Sequence, residues 1–207
     1  MAYDLLENKG ADIRQSPLVE RRELLEKLVL EAGHPALLLS SKLAFTSWQD
    51  IVQHREHART TSIEGLMLKR RSSTYEVGRK RGDWWKWKVD PLTIDAVLTF
   101  SMQGHGRRAD LYTDHTFGLW QDDKLVTFAK AYSGLTDAEM KEVDAFVKKN
   151  TVERFGPVRQ VEPQLVFEIA FEGISSSSRH KSGVAVRFPR IVRWRRDKNA
   201  SEANTLD

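Results

Sequence analysis

Cysteine is absent from the 207 residues. That excludes disulfides and thiolate metal sites, and it accords with a reducing compartment. No apolar run approaches the roughly 18 residues of a membrane-crossing helix, so no membrane span is expected. The N-terminus, MAYDLLENKGADIR, has the character of neither a signal peptide nor an Arg/Ser-rich transit peptide. Histidine is sparse. His54 and His57 stand three apart on an expected helix, a zinc-compatible spacing, but no further His or acid cluster supports them and they read as surface residues. His34, His105, His115 and His180 are isolated. There is no internal repeat, and low complexity is confined to Ser175–Ser178.

What is present is enough apolar material, 40% of the chain, for one large domain or two small ones. The formal net charge of +4 hides an uneven distribution. From Lys69 to Lys88 eight Lys/Arg face Glu76 and Asp83, for +6. From Arg187 to Lys198 six face only Asp197, for +5. Those two stretches leave −7 to the other 175 residues. Basic surface on a mildly acidic body is the footprint of a polyanion binder.

The first third reads as mixed α and β. Ala2–Leu6 and Ala36–Leu39 are short apolar strand candidates. Ser16-Pro17 predicts a helix start, with Ser as N-cap and Pro at the first helical position. Leu18, Leu25, Leu28 and Val29 then share a face until Gly33-His34-Pro35. Ser47 with Asp50 opens a second helix, with Trp48, Ile51, Val52 and Ala58 in partial register. Ile63–Leu68 and Trp84–Val89 read as strands joined by a basic loop holding Gly78 and Gly82.

Asp90-Pro91 is a break, because proline restricts the residue before it and cannot continue a central strand. Beyond it short β-runs dominate, among them Leu92–Thr99, Leu165–Glu172 and a long stretch from Val184 to Arg196. One helix interrupts them at the capping box Thr136-x-x-Glu139, followed by Met140, Val143, Phe146 and Val147 at helical spacing. Short strands with one inserted helix predict a small Greek-key barrel such as the OB-fold. The expected fold is therefore α+β over 1–90 and an all-β barrel over 91–198. The polar tail, 199–207, is expected to be disordered.

Three segments carry candidate chemistry. In Glu64-Gly-Leu-Met-Leu-Lys69 a carboxylate enters a strand and a lysine leaves it, on opposite faces if the strand is regular. A carboxylate near a divalent cation, with a lysine against the phosphate, suits phosphoryl-transfer chemistry; the bland alternative is a strand-end ion pair. In Trp84-Trp-Lys86-Trp-Lys88 the two lysines share a face and suit one phosphate, while Trp85 and Trp87 occupy the other face and suit a core. Arg79, Lys80 and Arg81 in the loop before it are placed to meet a nucleic-acid backbone. In RFPRIVRWRRDK, 187–198, Arg193 and Arg195 project from one strand face, and charge of that density favours an anion.

Tyr3-Asp-Leu-Leu, the EGLMLK hexad, Trp84-x-Lys86-x-Lys88 and RFPRIVRWRRDK occur in the order and spacing of nucleotidyltransferase motifs. From Ala2 to Lys198 the chain resembles ATP-dependent DNA ligases. The resemblance implies that Tyr3 stacks on adenine and that Glu64 serves Mg²⁺ or Mn²⁺. It implies that Lys86 and Lys88 contact the α-phosphate with Lys69 in support. Arg193, Arg195, Asp197 and Lys198 would close over ATP and orient pyrophosphate. Arg79, Lys80, Arg81, Arg187 and Arg190 would face DNA. It further implies the second half of an adenylation domain followed by an OB-fold, with nicked duplex DNA and ATP or AMP as partners. A monomeric intact enzyme is expected, in the cytoplasm beside the nucleoid if bacterial.

One departure matters. The family's nucleophile sits in Lys-x-Asp-Gly, and no Asp-Gly occurs here; Lys9-Gly10-Ala11-Asp12 has the wrong order. The upstream acidic strand is missing too. The chain reads as one that starts inside the nucleotide-binding domain, unable to complete a catalytic cycle without an N-terminal half. Residues 1–90 would then be open to non-native association. A stand-alone nucleic-acid-binding module, or an RNA ligase or mRNA capping enzyme, are the alternatives.

Overall fold

A computed structural model describes residues 1–60, 63–106 and 109–206, except the side chains of residues 59 and 60. The chain divides into two compact units, Met1–Val89 and Asp90–Asp207. No helix among the described residues is long and apolar enough to cross a membrane.

The first unit contains a two-stranded ribbon, β1 (Glu7–Asn8) and β2 (Ala11–Asp12), then α1 (Leu18–Ala32) and α2 (Trp48–Thr60). A hairpin of β3 (Gly65–Lys69) and β4 (Trp84–Lys88) completes it. The two short apolar strands expected near the N-terminus reduce to one parallel bridge, Ala2 to Leu39. Helix α1 starts a residue later than the Ser-Pro signal implies. Pro17 has an extended ψ of 144° and is itself the N-cap. The Ser16 carbonyl accepts instead from the guanidinium of Arg21. Arg21 is fully buried. Its Nε and Nη2 donate to the two carboxylate oxygens of Asp4, at 2.9 and 3.0 Å, and Nη1 donates to the Ser73 carbonyl at 3.1 Å. At the start of α2, Asp50 accepts from the amides of Thr46 and Ser47, and its own amide donates to Ser47 Oγ.

The second unit is a curled antiparallel sheet. Its strands are β5 (Leu92–Gln103), β6 (Tyr112–Gln121), β7 (Lys124–Ala131), β8 (Thr151–Phe155), β9 (Val158–Val161), β10 (Val166–Phe171) and β13 (Arg190–Trp194). A separate hairpin pairs β11 (Gly173–Ser176) with β12 (Val184–Arg187). The main path runs β13-β10-β5-β6-β7, with β9 added to β5 and β8 to β9. Its ends meet where the Ile191 amide donates to the Ser133 carbonyl at 2.9 Å. That closure requires a glycine. A Cβ on Gly134 would lie 1.8 Å from the Ile191 carbonyl oxygen, and the residue's φ is +115°.

The result is a Greek-key barrel of the OB-fold kind, with five strands on its main path and α3 (Asp137–Lys149) between β7 and β8. Thr136 and Glu139 form the capping box, and Met140, Val143 and Val147 face inward. Val143 and Val147 join Leu98, Phe117, Phe167 and Ile169 in one core. The long strand expected from Val184 to Arg196 is broken at Phe188, whose φ is +53°.

The disordered tail is corrected. Residues 199–206 run along the barrel, with a 3₁₀ turn at Ala200–Glu202 opened by Asn199 and Glu202 as a second capping box. The Trp120 amide donates to the Asn204 carbonyl, the Leu206 amide donates to the Trp120 carbonyl, and Trp120 Nε1 donates to the Ala200 carbonyl at 2.7 Å. A polar composition did not prevent ordering because the barrel satisfies the segment's backbone groups.

His115 on β6 is buried among these strands, with Nδ1 2.9 Å from Ser101 Oγ. Its Nε2 has no hydrogen-bond partner among the described residues. The ring lines a cavity of about 180 Å³ with Thr113, Ser133, Gly134 and Met140. Burial pushes its pKa down to about 4. The neutral ring is therefore the folded form at pH 7. As pH falls below about 6.5 the unfolded chain takes up a proton that the folded barrel refuses until about 4. Barrel stability should fall across that window, by up to about 3 kcal/mol. Urea unfolding followed by tryptophan fluorescence from pH 7 to pH 4 checks this. His115→Gln should remove that contribution to the slope, and an unchanged slope would refute the assignment.

Candidate active site and anion-binding surfaces

In the β3–β4 hairpin Gly65 opposes Lys88, Met67 opposes Lys86 and Lys69 opposes Trp84. Directly opposed residues share a face of an antiparallel pair. Lys69, Lys86 and Lys88 are thus brought to one face of one hairpin. A regular strand would turn Glu64 away from them, but Gly65 has φ +137° and breaks the alternation. Its missing Cβ would meet the Trp87 carbonyl oxygen at 2.3 Å. The Glu64 carboxylate lies 4.0 Å from Lys88 Nζ. The structure therefore brings Glu64 to the lysine face, which strand periodicity alone does not predict.

Lys69 Nζ sits 4.8 Å from the Tyr3 ring centroid and 4.1 Å from that of Trp84. Two aromatic faces hold the ammonium by its charge. Burial pushes the Lys69 pKa below its ordinary value, and Asp4 pulls the other way. Trp84 is fixed by a 3.0 Å bond from Nε1 to Ser73 Oγ and by edge contact with Tyr75. Tyr3, 55% exposed, is placed by its neighbour Asp4 on Arg21.

On the opposite hairpin face Trp87 packs edge-on to Trp48, with Arg55 over its ring at 5.5 Å. Trp85 was expected to be core and is instead 46% exposed. Alternation gave its face correctly, but α2 covers only the Trp87 end. The loop cations Arg79, Lys80 and Arg81 are exposed and make no ion pair among the described residues. Neighbouring Arg70 is held by Asp83 at 2.8 Å.

The basic stripe of the barrel differs from what its sequence implies. Arg190 pairs with Glu172 at 3.1 Å, Arg193 with Glu168 at 2.6 Å and Arg196 with Glu142 at 2.8 Å. Arg195 is shared by Asp197 and Asp95, each at 2.7 Å, and Lys198 reaches Asp95 at 2.7 Å. Five cations meet five carboxylates, four of which come from outside the stripe. The Asp197 carboxyl, beside the Arg195 guanidinium, is held down to about 2. Arg187 lies over the Phe188 ring at 5.0 Å. The strand faces explain the pairing: Asp95 opposes Glu168, which opposes Arg193, in a row across β5, β10 and β13. Arg193 and Arg195 line one shallow depression with Asp95, Glu168 and Asn204.

Sequence reasoning missed Asp95, Asn204 and the Asp4–Arg21 pair. Asp95 lies in the expected β-run Leu92–Thr99, and nothing local ties it to residue 195. His54 and His57 are exposed, and no metal-binding group of three or more His, Asp or Glu occurs among the described residues.

The hairpin residues lie within a match to the ATP-dependent DNA ligase domain over residues 1–88. The barrel matches the C-terminal region of ATP-dependent DNA ligases over 108–198. The chain belongs to the ATP-dependent DNA ligase family. A probable DNA ligase of Koribacter versatilis is 37% identical across all of this chain, and one of Opitutus terrae is 39% identical across 99%. The chain spans only 40% and 23% of those two relatives. A solved Lig E DNA ligase, 19% identical, matches 94% of the chain and 62% of its own with a TM-score of 0.66, which shows the shared ligase fold.

In this ligase chain the placement of Tyr3 depends on a buried ion pair. Truncating one partner strands the other charge in a dry site, at a cost of about 3–5 kcal/mol. Arg21→Ala should unfold Met1–Val89 and leave the barrel intact. Amide hydrogen exchange would show protection lost in the first unit alone; retained protection there would refute this role for Arg21.

Proposed function

We propose that this chain supplies the second half of the adenylation domain and the OB-fold of an ATP-dependent DNA ligase that seals nicks through lysyl-AMP and DNA-adenylate intermediates. The observation that carries this is the single hairpin face holding Lys69, Lys86 and Lys88, with Glu64 beside Lys88 and the Tyr3 ring beside Lys69. A non-catalytic nucleic-acid module gives that convergence no task.

In this reading Tyr3 offers a ring face to adenine. Lys86 and Lys88 neutralise the α-phosphate as charge builds there, with Lys69 held alongside. One carboxylate, Glu64, fits a Mg²⁺ or Mn²⁺ ion kept mainly by water and phosphate oxygens, and the ion would supply further charge neutralisation at the phosphate. Arg193, Arg195, Asp197 and Lys198 face the β- and γ-phosphates and orient pyrophosphate. Arg79, Lys80 and Arg81 meet the backbone of nicked duplex DNA, with Arg187 and Arg190. The nucleophilic lysine belongs to a Lys-x-Asp-Gly segment that this sequence does not contain.

The chain alone should therefore form no covalent adenylate with labelled ATP and Mg²⁺. A stable labelled band on a denaturing gel would overturn that. Joined to the part of the Koribacter versatilis relative that it does not match, it should seal nicks. In that fusion Lys88→Ala should depress both self-adenylation and the sealing of a pre-adenylated nick, by about 10²-fold or more. Loss in neither assay would remove Lys88 from the site.

The chain should also bind duplex DNA through phosphates, with log K falling by about 0.9 per contact as log salt rises. Because the barrel stripe is neutralised by its own acids, Arg79, Lys80 and Arg81 should carry more of that slope. Replacing those three with Ala should flatten the slope more than Arg190→Ala with Arg193→Ala, as fluorescence anisotropy from about 50 to 200 mM salt reads out. Equal flattening would refute the assignment.

A further inference from the structure

Asp95 has no role in the reading above, yet it sits where an anion would. Its Oδ2 accepts from Arg195 Nη1 at 2.7 Å and from Lys198 Nζ at 2.7 Å. The other edge of the Arg195 guanidinium, Nε and Nη2, is taken by Asp197 at 3.0 and 2.7 Å. All three nitrogens of Arg195 are on carboxylates. Three of its five N–H donors are thus engaged, and a phosphate meets a cation whose charge is already compensated.

The two carboxylates differ in how they are held. Asp197 is two residues from Arg195, and its side chain is 66% exposed, so it can move with its partner or swing into solvent. Asp95 is fixed. It lies in the β5 ladder opposite Glu168, its amide donates to Asn204 Oδ1 at 2.8 Å, and its carbonyl accepts from the Asn204 amide at 2.9 Å. Its side chain is 10% exposed. One anionic oxygen shared between a guanidinium and an ammonium is the arrangement that a bridging phosphate oxygen adopts.

We propose that Asp95 is the built-in counter-ion of the Arg195–Lys198 anion site, standing in for a polyphosphate oxygen and setting which anions can displace it. This rests on reading 187–198 as a polyphosphate-facing segment. While Asp95 holds the pair, the two side chains stay in place and their charge is neutralised. A singly charged group, such as one DNA phosphodiester or chloride, offers no more charge than the carboxylate it would replace. A polyphosphate offers several charges on one ligand and exchanges favourably. Asp95 is thus a specificity-determining residue, favouring polyphosphate over isolated phosphodiesters by internal competition.

The test is calorimetric titration of the full chain with sodium tripolyphosphate at fixed salt. Asp95→Asn keeps the two backbone bonds to Asn204 and removes the charge. It should tighten tripolyphosphate binding by roughly tenfold or more. Structural damage would weaken binding instead, so the sign is informative. Adding Lys198→Ala to Asp95→Asn should abolish the gain. Glu142→Gln, which frees the exposed Arg196, should change affinity by less than about twofold. Should the Asn variant fail to fold, Asp95→Ser provides the same measurement.

Weaker or unchanged binding in the Asp95 variants, or an equal gain from Glu142→Gln, would overturn the counter-ion role while leaving the segment's polyphosphate reading intact. Absence of binding by every variant would overturn both.

Discussion

The barrel is organised around the carboxylate of Asp95. Its side chain holds Arg195 and Lys198, and its backbone holds Asn204, so a C-terminal stretch 100 to 109 residues away in sequence converges on one strand position. A carboxylate this enclosed gives up its partners only to an anion that offsets the loss, because an uncompensated charge at low exposure is costly. The partners inherit the constraint. Arg195 continues the β13 ladder through its amide bond to the Val166 carbonyl, and residues 199–206 are pressed along β6. Ordering of the C-terminal segment and placement of the last basic motif are therefore one physical fact.

The first unit has an equivalent anchor in Arg21 with Asp4. The pair fixes the chain just after Tyr3, and Arg21 also caps the carbonyls of Ser16 and Ser73. Ser73 in turn orients the Trp84 indole, and Trp84 with Tyr3 flanks the Lys69 ammonium. The hairpin adds a steric requirement at Gly65, where any side chain would collide with β4. A buried charge pair and one glycine thus place residues from three segments on a common surface. A Lys→Arg or Gly→Ala change in this chain of contacts is not conservative, since geometry rather than charge alone is being held.

How much of this was legible in sequence follows from the range of each signal. The Thr136 capping box, the break at Asp90-Pro91, the β3 and β4 strands and the barrel class are local or periodic patterns, and they appear where the patterns place them. The shared face of Lys86 and Lys88 follows from a period of two. Signals that depend on what covers a face do not survive: Trp85 is exposed because α2 ends its cover at Trp87. The tail failed on composition, although Asn199-x-x-Glu202 carried the same cap signature read correctly at Thr136. The two-residue period also fails at Gly65, where a positive φ carries Glu64 toward Lys88.

Charge counting failed for a related reason, and its failure separates the two basic surfaces. Along the sequence both stretches look alike, +6 and +5. In space the barrel stripe meets Glu142, Glu168, Glu172 and Asp95, contributed by α3, β10, the residue just after β10, and β5, all of which the chain visits earlier. Cations already paired at about 3 Å project little field beyond a Debye length, whereas the exposed Arg79–Arg81 loop keeps its field. Long-range attraction of a polyanion then belongs to the loop. On the proposed reading the stripe acts only at contact, where a ligand must outcompete carboxylates, and such a surface would select by charge density and geometry rather than by capture.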